Sequence, residues 1–398
     1  NLIPLAQQFP YGKKPVRGVN LGGWLLLEPF IKPSMFEQFP QNEHVIDEWT
    51  FCKSLGQDEC RKQLRRHYET FVTEDDISKI ADLGLDHVRI PVGYWALDIQ
   101  DDEPYVQDSW EFLLRGVEWA RKHGLRVMLE LHSAPGSQNG WNHSGREGIV
   151  GWMNGTATGL AYGERTLRIM REMLEHFSQP KYREVVTLFG ILNEPYAEKV
   201  GLARVKQWSK QAYQVAREVT GLGEGPILVV HEGFSGLGKW QGEMPPSKYD
   251  RVVLDVHNYF IFDKYLVGLD LPGKLNFTCT TWQQDVRTSE EKFGWTMVGE
   301  FSVATDDCAL FLNGVGKGAR WDGTYKGSTP AHPGATCQGR TDASKWAPEY
   351  ISFLRQFGEK QMDAFEKGGG FGWFYWNFKT EGGVNPQWDY FLGVASDT

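Results

Sequence analysis

The sequence has no apolar run approaching the roughly 20 residues that a membrane-spanning helix requires, which excludes a helical span, and no membrane partner is expected. It has no basic stripe: 42 Lys and Arg stand against 51 Asp and Glu, a formal net charge of −9. Nucleic acid is thereby set aside as a partner, because its phosphates demand clustered cations. After the first apolar run, Val16–Leu21, the chain continues Gly22-Gly23-Trp24-Leu25, not the GxGxxG turn of a dinucleotide site. A P-loop and a GxSxG elbow are also missing. The five cysteines (Cys52, Cys60, Cys279, Cys308, Cys337) form no CxxC pair and none lies near a His at zinc-ligand spacing, so neither a metal nor another cofactor is expected. No Pro/Ser/Thr linker, low-complexity tract or solenoid-length repeat breaks the chain, which predicts one domain over 1–398.

Hydrophobic residues make up 41% and the mean hydropathy is −0.44, values of a soluble globular chain. Aromatics are abundant at 14%, enough both to anchor a large core and to stack on sugar rings; composition does not separate the two uses. Three sequons, at Asn142, Asn154 and Asn276, fall in Gly-rich or polar stretches that read as surface loops. Together with the cysteines they predict an oxidising, secretory compartment. Asn1 opens no leader peptide, which reads as a mature, secreted form.

Short apolar runs alternate with amphipathic stretches, as in a parallel sheet with crossover helices. The predicted strands are Val16–Leu21, His87–Val92, Arg126–Leu131, Val186–Leu192, Pro226–His231, Arg251–Tyr259, Thr296–Phe301 and Gly370–Trp376. Helical spacing recurs in Trp110/Leu113/Leu114/Val117/Ala120, in Leu167/Met170/Leu174/Phe177, in Val205/Trp208/Ala212/Val215/Val219 and in Tyr350/Phe353/Leu354/Phe357. The helix after the sixth strand has the weakest pattern. Gly84, Gly124 and Gly221 sit where helices should stop. Eight such units predict an α/β fold, a (β/α)₈ TIM barrel with long active-site loops.

In such barrels function gathers at the C-terminal ends of the strands. Those ends read Arg89, Glu130-Leu131-His132, Asn193-Glu194-Pro195, His231-Glu232, Asp255-Val256-His257-Asn258-Tyr259, Gly299-Glu300 and Tyr375-Trp376. Each polar residue alone is most simply a satisfied structural group. A whole ring of them is not, because unpaired buried charge is expensive. Period-two alternation puts Glu130 and His132 on one face, and Asp255, His257 and Tyr259 on another. Glu194 and Glu300, on strands four and seven, face each other across the barrel, and glycoside hydrolysis needs such a pair. One carboxylic acid protonates the leaving oxygen while the other attacks the anomeric carbon or activates water. Asn193 is placed to bond a substrate 2-hydroxyl, and Arg89 and Tyr259 to keep Glu300 ionised. Glu194 should have its pKa raised by its surroundings.

Leu192-Asn193-Glu194-Pro195 and Val298-Gly299-Glu300-Phe301 resemble the two signature carboxylate motifs of glycoside hydrolase family 5. The wider pattern resembles the fungal exo-β-1,3-glucanases of that family: Arg17-Gly-Val-Asn-Leu-Gly-Gly-Trp24, Glu28-Pro29, Val88-Arg89-Ile90-Pro91, Ala134-Pro-Gly-Ser-Gln-Asn-Gly140, Leu312-Asn313-Gly314-Val315 and Gly318-Ala319-Arg320. Matches run from about residue 11 to 390, nearly the whole chain. The resemblance implies Glu194 as acid/base and Glu300 as nucleophile of a retaining enzyme. It implies a sugar-binding shell of Arg89, His132, Asn193, His257, Tyr259 and Trp376, with Glu28 on the non-reducing glucose. Trp141 and Phe262 would flank the entrance, with Asn142, Asn313 and Arg320 as further binding residues. Trp141 stands where the group has Phe, and Asp255–Tyr259 departs from a run of histidines while keeping His257 and Tyr259.

The same resemblance implies a Cys308–Cys337 bridge, with Cys52 and Cys60 as a candidate local one. The group's partner for Cys279 lies near the C-terminus, where this sequence has no cysteine, so Cys279 is free or its partner lies beyond Thr398. The leading expectation is a secreted, monomeric exo-β-1,3-glucanase acting on β-glucan. Its alternatives are a β-1,6-glucanase, a transglucosylase or a small-molecule glucosidase on the same machinery, and a non-catalytic cell-wall binder. Segments 29–74, 133–164 and 302–348 are long enough to wall off one end of a cleft.

Overall fold

The computed structural model describes residues 2–395. Eight parallel strands among them close a barrel in chain order: β1 (Val16–Asn20), β2 (His87–Val92), β3 (Arg126–Leu131), β4 (Val186–Gly190), β5 (Ile227–His231), β6 (Val252–Asn258), β7 (Thr296–Phe301) and β8 (Gly372–Tyr375). The TIM-barrel expectation holds. Each strand falls inside its predicted run, and Leu21, Leu192 and Trp376 lie just past the strand ends, where the chain leaves the sheet for the barrel mouth.

Alternation along each strand divides two environments. Val127, Leu129 and Leu131 of β3, like Val88, Ile90 and Val92 of β2, join the large outer core under the helices. The opposite face supplies a smaller inner core of Val16, Met128, Leu188, Val229, Val253, Met297 and Phe374. One step further along the same inward rows stand Asn20, Arg89, Glu130, His231 and Asp255, all nearly or wholly buried. The barrel interior is therefore apolar in the middle and polar at its C-terminal end. At the opposite end the N-terminal segment forms a plug. Phe9 and Tyr11 pack on His87, and Arg126 donates to the carbonyls of Ile3, Pro4 and Gln7.

The four predicted helices are present as Ser109–Lys122, Ala157–Phe177, Leu202–Thr220 and Pro348–Lys367. The weakly patterned sixth crossover is broken into Lys264–Val267, Leu271–Phe277, a π-turn at Thr278–Trp282 and Gln283–Lys292. Gly268, Pro272 and Gly273 interrupt any single amphipathic helix there. The stop glycines take left-handed φ values of 82° (Gly84), 74° (Gly124) and 84° (Gly221).

Both bridges form, Cys52–Cys60 and Cys308–Cys337, while Cys279 is free and exposed. The three sequons do not all lie in surface loops. Asn154 is exposed in a loop, but Asn276 lies on the helix Leu271–Phe277, and Asn142 is buried at 8% exposure in a 3₁₀ turn. Its neighbours Trp141 and His143 pack on Tyr196, Phe234 and His132, contacts that local composition does not report.

One glycine sits at the closing seam of the barrel. Gly372 pairs with Val16 across the β8–β1 seam with φ 139°, and a Cβ there would lie 2.2 Å from the Val16 carbonyl oxygen. Gly372→Ala should therefore destabilise the protein by about 2–4 kcal/mol in denaturant melts, through clash plus strain. Gly84→Ala, with the same kind of φ but no atom within 4 Å, should cost only about 1 kcal/mol.

Candidate active site

The polar end of the barrel is organised around Arg89. Its guanidinium is fully buried on β2 and donates through Nη1 to Glu300 Oε1 at 2.7 Å and Asn20 Oδ1 at 2.6 Å. Nη2 donates to Asn193 Oδ1 at 2.7 Å and lies 2.5 Å from Glu130 Oε2. Burial works against the arginine charge, but the carboxylates of Glu130 and Glu300 outweigh it and raise its pKa. Glu130 is also within 2.9 Å of His132 Nδ1. Its carboxylate accepts there, so Nδ1 carries the proton and Nε2 is left to accept from Asn193 Nδ2 at 3.4 Å. Asn193 is thus oriented from both sides, its oxygen to Arg89 and its amide nitrogen to His132. Burial pushes the His132 pKa well down, in keeping with a neutral ring. Trp376 stacks on that ring at 5.7 Å and lies over Arg89 at 5.8 Å.

Glu300 is held at its second oxygen by the Tyr259 hydroxyl at 2.8 Å. Glu194 stands just beyond β4 with φ 45°, left-handed and uncommon for a residue with a side chain. Such a conformation costs about 1–3 kcal/mol and persists only where neighbours over-determine it. The loop after β3 supplies those neighbours. Gln138 donates to the Asn193 carbonyl at 2.9 Å, Asn139 to the Glu194 carbonyl at 3.3 Å, and the Asn193 amide bonds Leu131 at 2.9 Å.

His257 joins the two carboxylates. Its Nδ1 is 2.6 Å from Glu194 Oε1 and 3.5 Å from Glu300 Oε2, and its Nε2 is 3.3 Å from Asp255 Oδ2. Burial alone would depress this imidazole; the negative charge of Glu300 and Asp255, with hydrogen bonds to Asp255 and Glu194, pushes it well above its ordinary value. Glu28, 3% exposed, accepts from the Gly23 amide at 3.2 Å. Burial first, and then the nearby Glu300 charge, raise its pKa strongly and favour a neutral carboxyl.

The expected entrance residues form two groups. Trp141 is 36% exposed and packs its ring 5.4 Å from both Tyr196 and Phe234. Phe262 is 44% exposed and meets Tyr259 edge-on at 5.5 Å. Arg320 lies over Phe262 at 5.9 Å, but its guanidinium is engaged by Asn313 Oδ1 and Asp307. Asn313 and Arg320 are thus wired to Asp307 at the rim, outside the hydrogen-bonded centre. Asn142 sits between Trp141 and His143. Three long loops are fastened to one another: the Glu147 amide donates to Asp47 at 2.6 Å, Trp49 to the Gly145 carbonyl at 3.0 Å, and Lys317 pairs with Glu147 at 2.6 Å.

Sequence reasoning placed Glu130, His231 and Asp255 at the strand ends but gave them no role, and it missed His143, Tyr196 and Phe234. His143 Nε2 is 3.5 Å from Glu194 Oε2, and burial brings this imidazole down to about 4. The signal for His231 and Asp255 was the same inward alternation that found His257. Glu194, His231 and His257 bring ligand-type atoms within 4.8 Å of one another. His231 Nδ1, however, accepts the Gly233 amide at 3.0 Å. Its proton is therefore on Nε2, and the trio does not offer the three lone pairs a cation needs.

The chain matches the family model "Cellulase (glycosyl hydrolase family 5)" over residues 54–293. It is 42% identical to the probable glucan 1,3-beta-glucosidase D of Aspergillus fumigatus over 403 residues, covering 98% of this chain and 47% of that protein. The Aspergillus niger protein of the same name is 41% identical with the same coverage. The chain thus spans about half the length of the curated relatives it matches. Among solved structures it is similar to the rutinosidase from Aspergillus niger, with a TM-score of 0.74, 18% identity and coverage of 98% of this chain and 99% of that one. A second, "AoRut", gives 0.71 at 19% identity over 94% and 92%. These two likenesses are of fold. The match of family model and relatives shows that the chain belongs to the cellulase family, glycosyl hydrolase family 5.

Proposed function

We propose that this protein is a secreted, retaining exo-β-1,3-glucosidase working as one catalytic unit, with Glu194 as acid/base and Glu300 as nucleophile. One observation carries the reading: both carboxylates contact the same His257 Nδ1, at 2.6 Å and 3.5 Å. Their nearest oxygens are therefore at most about 6 Å apart, which accommodates the roughly 5–5.5 Å carboxyl separation of direct attack by a carboxylate. The family membership and the names of the fungal relatives support glucose as the sugar and the β-1,3 bond as the target.

In the proposed first step the Glu194 O–H gives its proton to the glycosidic oxygen as Glu300 Oε attacks the anomeric carbon. The C–O bond to the leaving group breaks, the alcohol departs, and a glycosyl ester with inverted configuration remains. Arg89 and Tyr259 hold the two oxygens of Glu300, so the attacking lone pair is aimed without a search through rotamers. Asn193, fixed by Arg89 and His132, meets the 2-hydroxyl, and the neutral Glu28 carboxyl reaches a hydroxyl farther into the pocket. In the second step Glu194, now a carboxylate, takes a proton from water; the oxygen attacks the same carbon, Glu300 leaves, and β-glucose is released. The knot of loops at Asp47, Glu147 and Lys317 supports a pocket closed at one end, hence exo action. The disulfides and the exposed sequon at Asn154 support secretion.

The aromatic group Trp141, Tyr196 and Phe234 favours an accompanying transfer activity, since a stacked acceptor sugar competes with water for the glycosyl ester. A digest of laminarin followed by NMR should show glucose as the first product, as its β-anomer. Oligosaccharides released early would sink exo action, and α-glucose would sink the double displacement. Glu300→Gln should lower kcat by a factor of about 10³ or more. Trp141→Ala should reduce the ratio of transfer to hydrolysis by about two- to tenfold, the worth of one aromatic stack, with hydrolysis of a simple aryl β-glucoside little changed.

A further inference from the structure

One buried carboxylate at the barrel mouth has no part in the reaction just described. Asp255, on β6, is wholly buried. Its Oδ1 accepts the Gly299 amide at 2.7 Å, and its Oδ2 is 3.3 Å from His257 Nε2. Gly299 is the residue before Glu300, and the other nitrogen of His257 faces Glu194. A single carboxylate thus touches the backbone that carries one member of the pair and the ring that touches the other. The approach is close enough that a Cβ at Gly299 would lie 2.4 Å from either Asp255 oxygen. That explains the glycine of Val298-Gly299-Glu300 without any appeal to backbone freedom.

We propose that Asp255 is a positioning residue that holds His257 with Nδ1–H directed at Glu194 and, through the Gly299 amide, keeps Glu300 in register with it. The proposal rests on the roles given above to Glu194 and Glu300. Two arrangements compete. If Asp255 only props the Gly299 amide, an Asn would serve equally, since an amide oxygen accepts the same N–H. If it acts through His257, its charge matters, because a fully buried imidazole keeps a second proton only against strong negative potential. The surroundings favour the second. Glu194 faces His257 from the end of β4 and Glu300 from β7, while Glu130 on β3 and Arg89 on β2 largely offset each other. His231 packs edge-on against the ring at 4.4 Å from β5, and with His132 and His143 from the β3 side it is driven toward neutrality by burial. Among the described residues only Asp255 meets Nε2. It is the partner that makes both ring nitrogens donors, and Glu194 needs that donor most in the interval when it has given up its proton.

The test uses ¹⁵N-histidine NMR and steady-state kinetics on wild type, Asp255→Asn, His257→Gln (which assigns the His257 signals) and the double variant. In wild type His257 should carry protons on both nitrogens at neutral pH. In Asp255→Asn it should titrate lower by about one pH unit or more. The alkaline limb of kcat/KM for an aryl β-glucoside should move down in pH with it. kcat should fall about tenfold or more, KM should stay within about twofold, and the loss should vanish in the His257→Gln background. A singly protonated His257 in wild type overturns the proposal even if the Asn variant does not fold. So does an equal loss of kcat with and without His257, which would make Asp255 a prop for Gly299 alone. An inactive wild type whose His257 still responds to Asp255→Asn would count against the functional reading and for the Asp255–His257 coupling.

Discussion

The site depends on a buried guanidinium. Arg89 is wholly enclosed at the barrel mouth, with four polar groups arranged around it: Glu130 and Glu300 as counter-charges, Asn20 and Asn193 as neutral acceptors. A carboxylate or guanidinium taken out of water alone costs several kcal/mol, and a buried pair is favourable only when its remaining donors and acceptors are met; both terminal nitrogens of Arg89 are met, while Nε has no hydrogen-bond partner among the described residues. Here one cation meets two carboxylates, which leaves negative potential in the ring. That potential favours a second proton on His257 and, after burial, adds to the upward push on the Glu28 pKa. The raised carboxyl of Glu28 and the raised imidazole of His257 thus share the Glu300 charge as a contributing cause, above the apolar layer that fills the barrel interior.

The same economy of position applies to the backbone. Glu194 is held at φ 45° because the loop after β3 grips the carbonyls of Asn193 and Glu194 through Gln138 and Asn139. That loop also carries Trp141 and His143, and through Gly145 and Glu147 it is tied to the segments around Asp47 and Lys317. Strain at one residue, the aromatic group around Trp141 and the fastened loops are therefore one construction. A change in loop length there would act on Glu194 as directly as on access to it.

The barrel was legible in the sequence because its signals are local. Apolar runs such as His87–Val92 and Arg126–Leu131 match their strands to the residue, and Gly84 and Gly124 mark helix ends by a backbone requirement few other residues meet. The polar ring was legible for a related reason, since period two assigns Arg89, Glu130 and Asp255 to the inward rows and a core would not tolerate them there unpaired. What stayed hidden depends on neighbours distant in sequence. Asn142 read as a surface sequon and is buried. The bonds that tie Arg320 and Asn313 to Asp307 are of the same kind. Tyr196 and Phe234 join Trp141 from the loops after β4 and β5, a meeting that only closure of the barrel brings about.

Histidine shows where the boundary of such reading lies. Four imidazoles crowd the mouth, at His132, His143, His231 and His257, and in three of them burial wins and lowers the pKa. Their contacts explain the exception. His132 bonds one carboxylate, but the positive Arg89 beside it works against a second proton. His143 touches Glu194 at one nitrogen only, and His231 takes a backbone amide on Nδ1, which requires a lone pair there. His257 alone has carboxylates at both nitrogens, Glu194 and Glu300 on one side and Asp255 on the other. Burial in a low-dielectric site strengthens both the penalty for a charge and the attraction of its partners, so the number and placement of carboxylates decides the sign. Residue type and strand parity bring all four rings to the same place. The charge each one carries is set by which elements the barrel places against its two nitrogens.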